Sequence, residues 1–391
     1  MLQLSFVNFR KDSYILVEGK KDNDRFYIIK SGKVRCFKSN DPMNISVKEL
    51  TVGDFIGVIP CMSSHNQIEN AVALTDVVCI SVRKDQYPEL IEKNTPVALK
   101  IIKTFANRMR ALNETLTQLA FKNVSLETTE HIFEVAEYYD LARKYDIAAY
   151  AYYRYLKECP QGINFDAAKK RLSSLKDSTN AVHFEPTSDL TRFYPKGTMI
   201  FSESQNGPDM FVIQEGQVSI SKVVDGKEVV LAVLSRGDMF GEMALLENKL
   251  RSASAIAHED CKLMVINRLN FDQMVCSQPQ LIARLTTTLS ERMWATYRQL
   301  DNTNLKDSYQ KLIDMLSLQI EKIHKYSGSY KTELTIEDLV NMCAIPKNQQ
   351  ASVKFQFHEN APVKFIENKI FIPDCLEILK QAAIYRKQNF E

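Results

Sequence analysis

The chain has 391 residues, 45% of them hydrophobic and 25% charged, with a formal net charge of +2. That length exceeds one ordinary core and predicts roughly two to four domains, while the near-neutral balance excludes a polyelectrolyte binder. Eight cysteines stand singly with no Cys-x-x-Cys pair, which argues against a disulfide framework and against a metal centre; no apolar run is long enough to span a bilayer, so no membrane association and a cytoplasmic location are expected.

The first segment, residues 1–122, repeats later in the chain at an offset of 184 residues. Tyr27-Ile28-Ile29 and Gly32-x-Val34 match Phe211-Val212-Ile213 and Gly216-x-Val218. Gly53-Asp54 and Gly57 match Gly237-Asp238 and Gly241, and Ala71, Ala73 and Asp76 match Ala255, Ala257 and Asp260. Arg108-Met109 then match Arg292-Met293, so one register persists across a whole domain. This is a duplication. Met109, Leu112, Leu116 and Leu119 follow at helical spacing and predict a tail helix with a narrow apolar seam.

Residues 127–180 carry a different pattern. Ile132, Val135-Ala136, Tyr139, Ala148, Tyr152 and Tyr155, closed by Pro160, predict two helices approaching closely at Ala136 and Ala148. A further amphipathic stretch, Asp166–Leu175, is placed to pack on them. Such a small helical unit cannot bury its own face and must dock on a neighbour.

The second copy, residues 183–300, shows apolar runs at Met199–Phe201, Met210–Ile213, Val218–Ile220, Val229–Leu234 and Leu263–Ile266, with a hairpin signal at Asp225-Gly226. Many short strands followed by a helix predict a β-roll closed by a helical tail. Between the last two runs lies the most informative stretch. Gly241 permits close backbone approach, Glu242 is an acceptor-only carboxylate, and Met243 and Ala244 continue a short helical turn. Arg251, Ser252 and Ala253 follow. A turn with free N–H groups and a bidentate cation suits an anionic phosphate, and the carboxylate suits a sugar hydroxyl. At the same offset the first copy has Val58 for Glu242 and Gln67 for Arg251, with Pro60 removing an N–H, so only the second copy is expected to hold such a ligand. Leu285, Leu289, Met293, Thr296 and Leu300 give the second tail helix its seam.

Residues 301–391 read as three helices, a short hairpin and a last helix. Thr335 caps a helix with Glu337 and Asp338 in its first turn, Ala344 takes a turn position, and Pro346 opens the next helix. Phe365–Ile372 predicts the hairpin, with Asn368-Lys369 near its tip. From residue 305 onward twelve Lys and Arg face eleven Asp and Glu, so no basic footprint is present.

The segment from Phe240 to Ala257 closely resembles the phosphate-binding cassette of cyclic-nucleotide-binding domains, and the order of barrel, tail helix and terminal helices resembles regulators of the CRP/FNR family. The insert resembles a single tetratricopeptide repeat. The resemblance implies an α+β multidomain chain: two β-roll (jelly-roll) domains, the first degenerate, a helical hairpin insert and a winged helix-turn-helix. It implies cAMP or cGMP as ligand, cAMP favoured, with Thr296 or its neighbour Tyr297 on the tail helix reaching the purine. It also implies double-stranded DNA as a partner, with Lys347, Asn348, Gln349 and Lys354 at the groove, although the arginines usual in that recognition helix are absent. Pairing through the tail helices is expected, as a homodimer or as an intrachain pseudo-dimer, and a protein partner is open at the insert. The expected role is a cyclic-nucleotide-responsive transcription regulator; the alternative is a nucleotide-sensing adaptor that does not bind DNA. No phosphate loop, His-Glu-x-x-His or nucleophile elbow is present in the sequence, so an enzyme is not expected.

Overall fold

The computed structural model describes residues 4–39, 47–120, 128–179, 185, 189–224, 226–243, 249–267, 270–271, 273, 277–332, 334–343 and 345–388. The first copy runs β1 (Ser5–Phe9), β2 (Tyr14–Leu16), β3 (Arg25–Ser31), β4 (Val34–Phe37), β5 (Lys48–Leu50), β6 (Phe55–Ile56), helix α1 (Val58–Ser63), β7 (Asn70–Ala73), β8 (Val77–Arg83), α2 (Tyr87–Lys93) and α3 (Thr95–Ala120). The insert is α4 (His131–Leu141), α5 (Tyr145–Glu158) and α6 (Phe165–Leu175). The second copy runs β9 (Thr191–Tyr194), β10 (Met199–Phe201), β11 (Met210–Glu215), β12 (Val218–Val224), β13 (Lys227–Leu234), β14 (Met239–Phe240), β15 (Ser254–Ala257), β16 (Cys261–Ile266) and the tail helix α7 (Pro279–Thr303). The remainder is α8 (Ser308–Lys322), β17 (Tyr330–Lys331), α9 (Ile336–Met342), α10 (Lys347–Asn360), β18 (Lys364–Ile366), β19 (Lys369–Ile372) and α11 (Cys375–Gln388).

The duplication is visible in topology. The first barrel pairs its strands in the orders β1-β8-β3-β6 and β2-β7-β4-β5; the second uses β9-β16-β11-β14 and β10-β15-β12-β13, the same arrangement shifted by eight strands. Each barrel is filled by inward residues of antiparallel strands: Ile15, Leu16, Ile29, Val34, Ala71 and Cys79 in the first, Phe201, Phe211, Phe240, Ala255 and Leu263 in the second. The hairpin expected at residues 225–226 joins β12 to β13, with Gly226 at φ 68°; Asp225 lies outside the described residues.

The chain groups into two compact units, one of residues 1–90, 108–124 and 286–391, the other of 91–107 and 125–285. Residues 91–107 fall in the unit of the second barrel, and most of α7, a 25-residue helix about 37 Å long, in the unit of the first.

In the first unit α3 and α7 touch at Met109, whose Sδ is 3.8 Å from Thr296 Oγ1, and at Arg108, which donates to the Tyr297 hydroxyl. Arg298 on α7 is buried and binds Asp314 (3.2 Å) and Glu321 (3.1 Å) of α8, which anchors the terminal helices to the tail helix. The Thr335 cap is present: its hydroxyl accepts from the Asp338 amide at 3.2 Å, and the Asp338 carboxylate accepts from the Thr335 amide at 2.9 Å. Pro346 is the N-cap residue of α10, while Ala344 lies outside the described residues. The hairpin tip is Glu367-Asn368, both left-handed (φ 53° and 63°), one residue earlier than the sequence suggests. Strand β17, too short for any periodicity, joins this hairpin as a third strand.

In the second unit α4 and α5 pack on the barrel. Ile132, Val135, Ala136, Tyr139, Ala148, Tyr152 and Tyr155 are buried together with Met199, Val223 and Ile256 of the barrel. Among the described residues no helix is long and apolar enough to cross a membrane.

Candidate functional site

The second barrel positions Arg251 from three directions. Its backbone forms two rungs with the loop after β10: the Arg251 amide donates to the Gln205 carbonyl (2.9 Å), and the Ser204 amide donates to the Arg251 carbonyl (2.8 Å). The side chain turns inward and is only 4% exposed. Its Nη1 donates to the Gly241 carbonyl at 2.6 Å and its Nη2 to the Asp209 carbonyl at 2.5 Å. The guanidinium lies over the Phe201 ring, 4.1 Å from the centroid, a cation–π contact.

Two glycines make room for it. Gly241 leaves β14 at φ 77°, and a Cβ there would stand 2.7 Å from Nη1. A Cβ on Gly207 would stand 2.7 Å from both Nε and Nη2. After Gly241 the chain enters a helical turn at Glu242 and Met243.

Electrostatically the arginine is costly where it stands. Burial pulls the guanidinium down to about 10, opposed by the nearby Asp209, Tyr150 and Glu242, and it remains charged at neutral pH. Its hydrogen bonds go to neutral carbonyls, and its buried Nε has no partner among the described residues. The Asp209 carboxylate is engaged instead by Arg192 at 3.0 Å. A buried cation held by carbonyls, with one N–H left over, has the chemistry to pair with an anion. Glu242, in the same turn, is buried as well.

The residues expected from the sequence separate into groups. Gly241 and Arg251 are joined by a hydrogen bond, Glu242 and Met243 occupy the adjoining turn, and Ser252 and Ala253 lead from Arg251 into β15. Ala244 lies outside the described residues. Thr296 and Tyr297 fall in the first unit, where Tyr297 accepts a hydrogen bond from Arg108 and Thr296 approaches Met109. Phe201, Gln205, Gly207 and Asp209 were not foreseen; three act through backbone or through lacking a side chain, which leaves no motif. In the first barrel the equivalent segment has Gln67 where the second has Arg251. Val58 through Ser63 are all buried, and Gln67 donates to the Asp22 carbonyl. Nearby, Glu69 pairs with Arg108 (2.7 Å) and Lys48 (3.2 Å); burial would raise its carboxyl, but these cations hold it at about 2.

On α10, Asn348 and Gln349 are exposed, Gln349 accepts from the Ser308 hydroxyl at 3.1 Å, and Lys354 is paired with Glu337 at 2.9 Å. Lys347 opens the helix, and its side chain lies outside the described residues. Among the described residues no cluster of His, Cys, Asp and Glu is placed to hold a metal ion.

The family model "Cyclic nucleotide-binding domain" matches residues 6–94 and 191–277. The cyclic AMP receptor protein of Thermus thermophilus is 31% identical over 118 residues, 30% of this chain and 55% of its own length. The cAMP-activated global transcriptional regulator CRP of Pasteurella multocida is 32% identical over 116 residues, 29% of this chain and 56% of its own. The cAMP-dependent protein kinase regulatory subunit of Mycosarcoma maydis is 41% identical over 78 residues, 19% of this chain and 15% of its own. The chain therefore spans about half the length of the two bacterial relatives it matches. Among solved structures, the regulatory domain of Toxoplasma gondii PKA with cAMP is similar over 73% of this chain and 86% of that one, at 17% identity and a TM-score of 0.23. The repeat in the sequence, the twin strand orders and the match of the family model to both segments agree: this chain carries two cyclic nucleotide-binding domains, one in each barrel.

Proposed function

We propose that the chain is a cyclic-nucleotide-responsive regulator in which only the second barrel takes the ligand, cAMP in preference to cGMP. Arg251 neutralises the cyclic phosphate, the amides of the turn at Glu242 and Met243 cap it together with that of Ala244, which lies outside the described residues, Gly241 lets the backbone approach, and Ser252 and Ala253 add donors. Glu242 accepts from the ribose 2′-hydroxyl. The observation that carries this reading is the buried Arg251 guanidinium, bonded to carbonyls alone and with Nε to spare. The first barrel serves as scaffold: its Arg251 position is Gln67, and its charged residues satisfy one another. Thr296 and Tyr297 act in this reading within the seam beside Met109 and Arg108, which supports an intrachain pseudo-dimer. Equilibrium dialysis with cAMP and cGMP tests the sensor; saturable binding of cAMP at lower concentration than cGMP is expected, and no binding of either refutes it.

The output in this reading runs through the terminal helices, a divergent winged helix with α10 as the groove helix on double-stranded DNA. A second reading, a cyclic-nucleotide-sensing adaptor, is favoured by one feature of α10: Phe355 is 70% exposed while Lys354 is already paired with Glu337. The tetratricopeptide-like insert adds a further protein surface under either reading. A gel shift on random genomic fragments, with and without cAMP across a salt series, separates them. Retardation with a steep salt slope supports DNA binding, and no retardation at low salt supports the adaptor. In both cases ligand and output partner alter each other's affinity by the same factor.

A further inference from the structure

We infer that the helical insert is part of the ligand machinery, with Tyr150 of α5 acting as a positioning residue for Arg251. The inference rests on Arg251 taking the phosphate. It adds that the arginine is aimed by a segment outside the barrel.

Tyr150 is buried, and its hydroxyl is the meeting point of three groups. It lies 3.2 Å from the Ile200 carbonyl and 3.3 Å from Gln205 Oε1, and it accepts from Arg154 Nε at 3.1 Å. Its proton serves one of the two acceptors at a time, while Arg154 fixes the lone-pair side. Both acceptors belong to the apparatus that holds Arg251. Ile200 precedes Phe201, whose ring lies against the guanidinium. Gln205 accepts from the Arg251 amide through its carbonyl, and its side-chain oxygen also accepts from the Ser202 amide at 2.9 Å, which sets the loop's shape.

A second tie sits one residue along. Asn206 Nδ2 donates to Glu158 at the end of α5 at 2.5 Å. Farther off, the Lys144 ammonium and the Tyr139 hydroxyl each reach Glu228 on β13 at 2.9 Å. The insert thus grips the barrel at β13 and at the loop after β10 that pairs with the Arg251 backbone. Moving α5 moves both the rungs and the ring that set the guanidinium. A protein that binds the insert therefore changes nucleotide affinity, and nucleotide changes affinity at the insert by the same factor.

A double-mutant cycle on the full chain tests this, with cAMP affinity read by calorimetry. Tyr150→Phe keeps the ring and deletes the hydroxyl. In the otherwise unchanged chain it should weaken cAMP binding about threefold to tenfold, the effect of one lost hydrogen bond. In an Arg251→Lys background the same change should cost less than about twofold, because the group it positions is gone. A structural effect on the barrel would appear equally in both backgrounds, so equal losses overturn the inference, as does an unchanged affinity for Tyr150→Phe alone. Gln205→Met, which keeps the length and removes the amide, should give the same selective pattern, and a different pattern counts against the route through Gln205. Failure of the unchanged chain to bind cAMP would overturn the Arg251 site itself, and this inference with it.

Discussion

Arg251→Ala separates the cost of holding a cation from its use. In the ligand-free protein the change deletes two charge-assisted hydrogen bonds, to the Gly241 and Asp209 carbonyls, and the contact with Phe201. Such bonds contribute about 1.5–3 kcal/mol each. Against this, the buried guanidinium carries a desolvation penalty of several kcal/mol, which the nearby Asp209 and Glu242 offset only in part. The two nearly cancel, so unfolding should become easier by only about 1 kcal/mol, a fall of about 2–4 °C in Tm for a unit of this size. Ligand binding should suffer far more. A cyclic phosphate left without its buried cation loses about 2–5 kcal/mol, or roughly 30-fold to several-thousand-fold in Kd. Calorimetric titration with cAMP, beside thermal melts with and without nucleotide, measures both quantities. The variant should melt near the parent and lose the stabilisation by cAMP. Affinity within twofold of the parent would refute the reasoning, because a guanidinium that contributes nothing to binding cannot be the phosphate's partner.

Other consequences concern the first unit. Glu69→Gln leaves Arg108 and Lys48 without their shared carboxylate, and should destabilise the protein by about 3 kcal/mol in urea unfolding while cAMP affinity stays the same; a fall in affinity would contradict the scaffold role of the first barrel. His65 stacks on Trp294 (3.6 Å) and on His324 (4.6 Å), and burial, together with the neighbouring His324, Arg298 and Lys84, pulls it down to about 4. The folded protein thus refuses a proton that the unfolded chain accepts below about pH 6.5, so stability falls as pH drops from there toward 4, by up to roughly 3 kcal/mol. His65→Phe keeps the stack and should remove this part of the acid sensitivity; equal loss in both proteins, read from urea midpoints at neutral and acid pH, would exclude His65 as its source.

Much of the fold was legible because its signals are local or repeated. The duplicated glycines at positions 53, 57, 237 and 241 mark turns that the backbone takes at positive φ, and they aligned the two copies before any strand was placed. The insert was legible because Ala136 and Ala148 can only be small where two helices touch, and both are fully buried. Within the candidate site, the carboxylate of Glu242, the guanidinium of Arg251 and the positive-φ glycine at 241 stand out in the sequence by residue type and spacing. What holds Arg251 could not. The partners at Gly241, Asp209 and Gln205 are carbonyls, which every residue possesses, and Tyr150 lies about a hundred positions away in what reads as a spacer. Thr296 and Tyr297 follow the second barrel in the chain, and along a helix of that length adjacency in sequence does not decide what they touch; here they meet Met109 and Arg108. The terminal region was readable as elements, since caps and Pro346 fix its helices, but a near-equal number of charges leaves its partner open.

The central claim is that two barrels of one topology differ in chemistry, one receiving a cyclic nucleotide through Arg251 and the other, with Gln67 at that position, receiving none. Calorimetric titration of the intact chain with cAMP counts the sites directly. One mole of nucleotide bound per mole of chain is predicted; two moles, or none, would contradict the account.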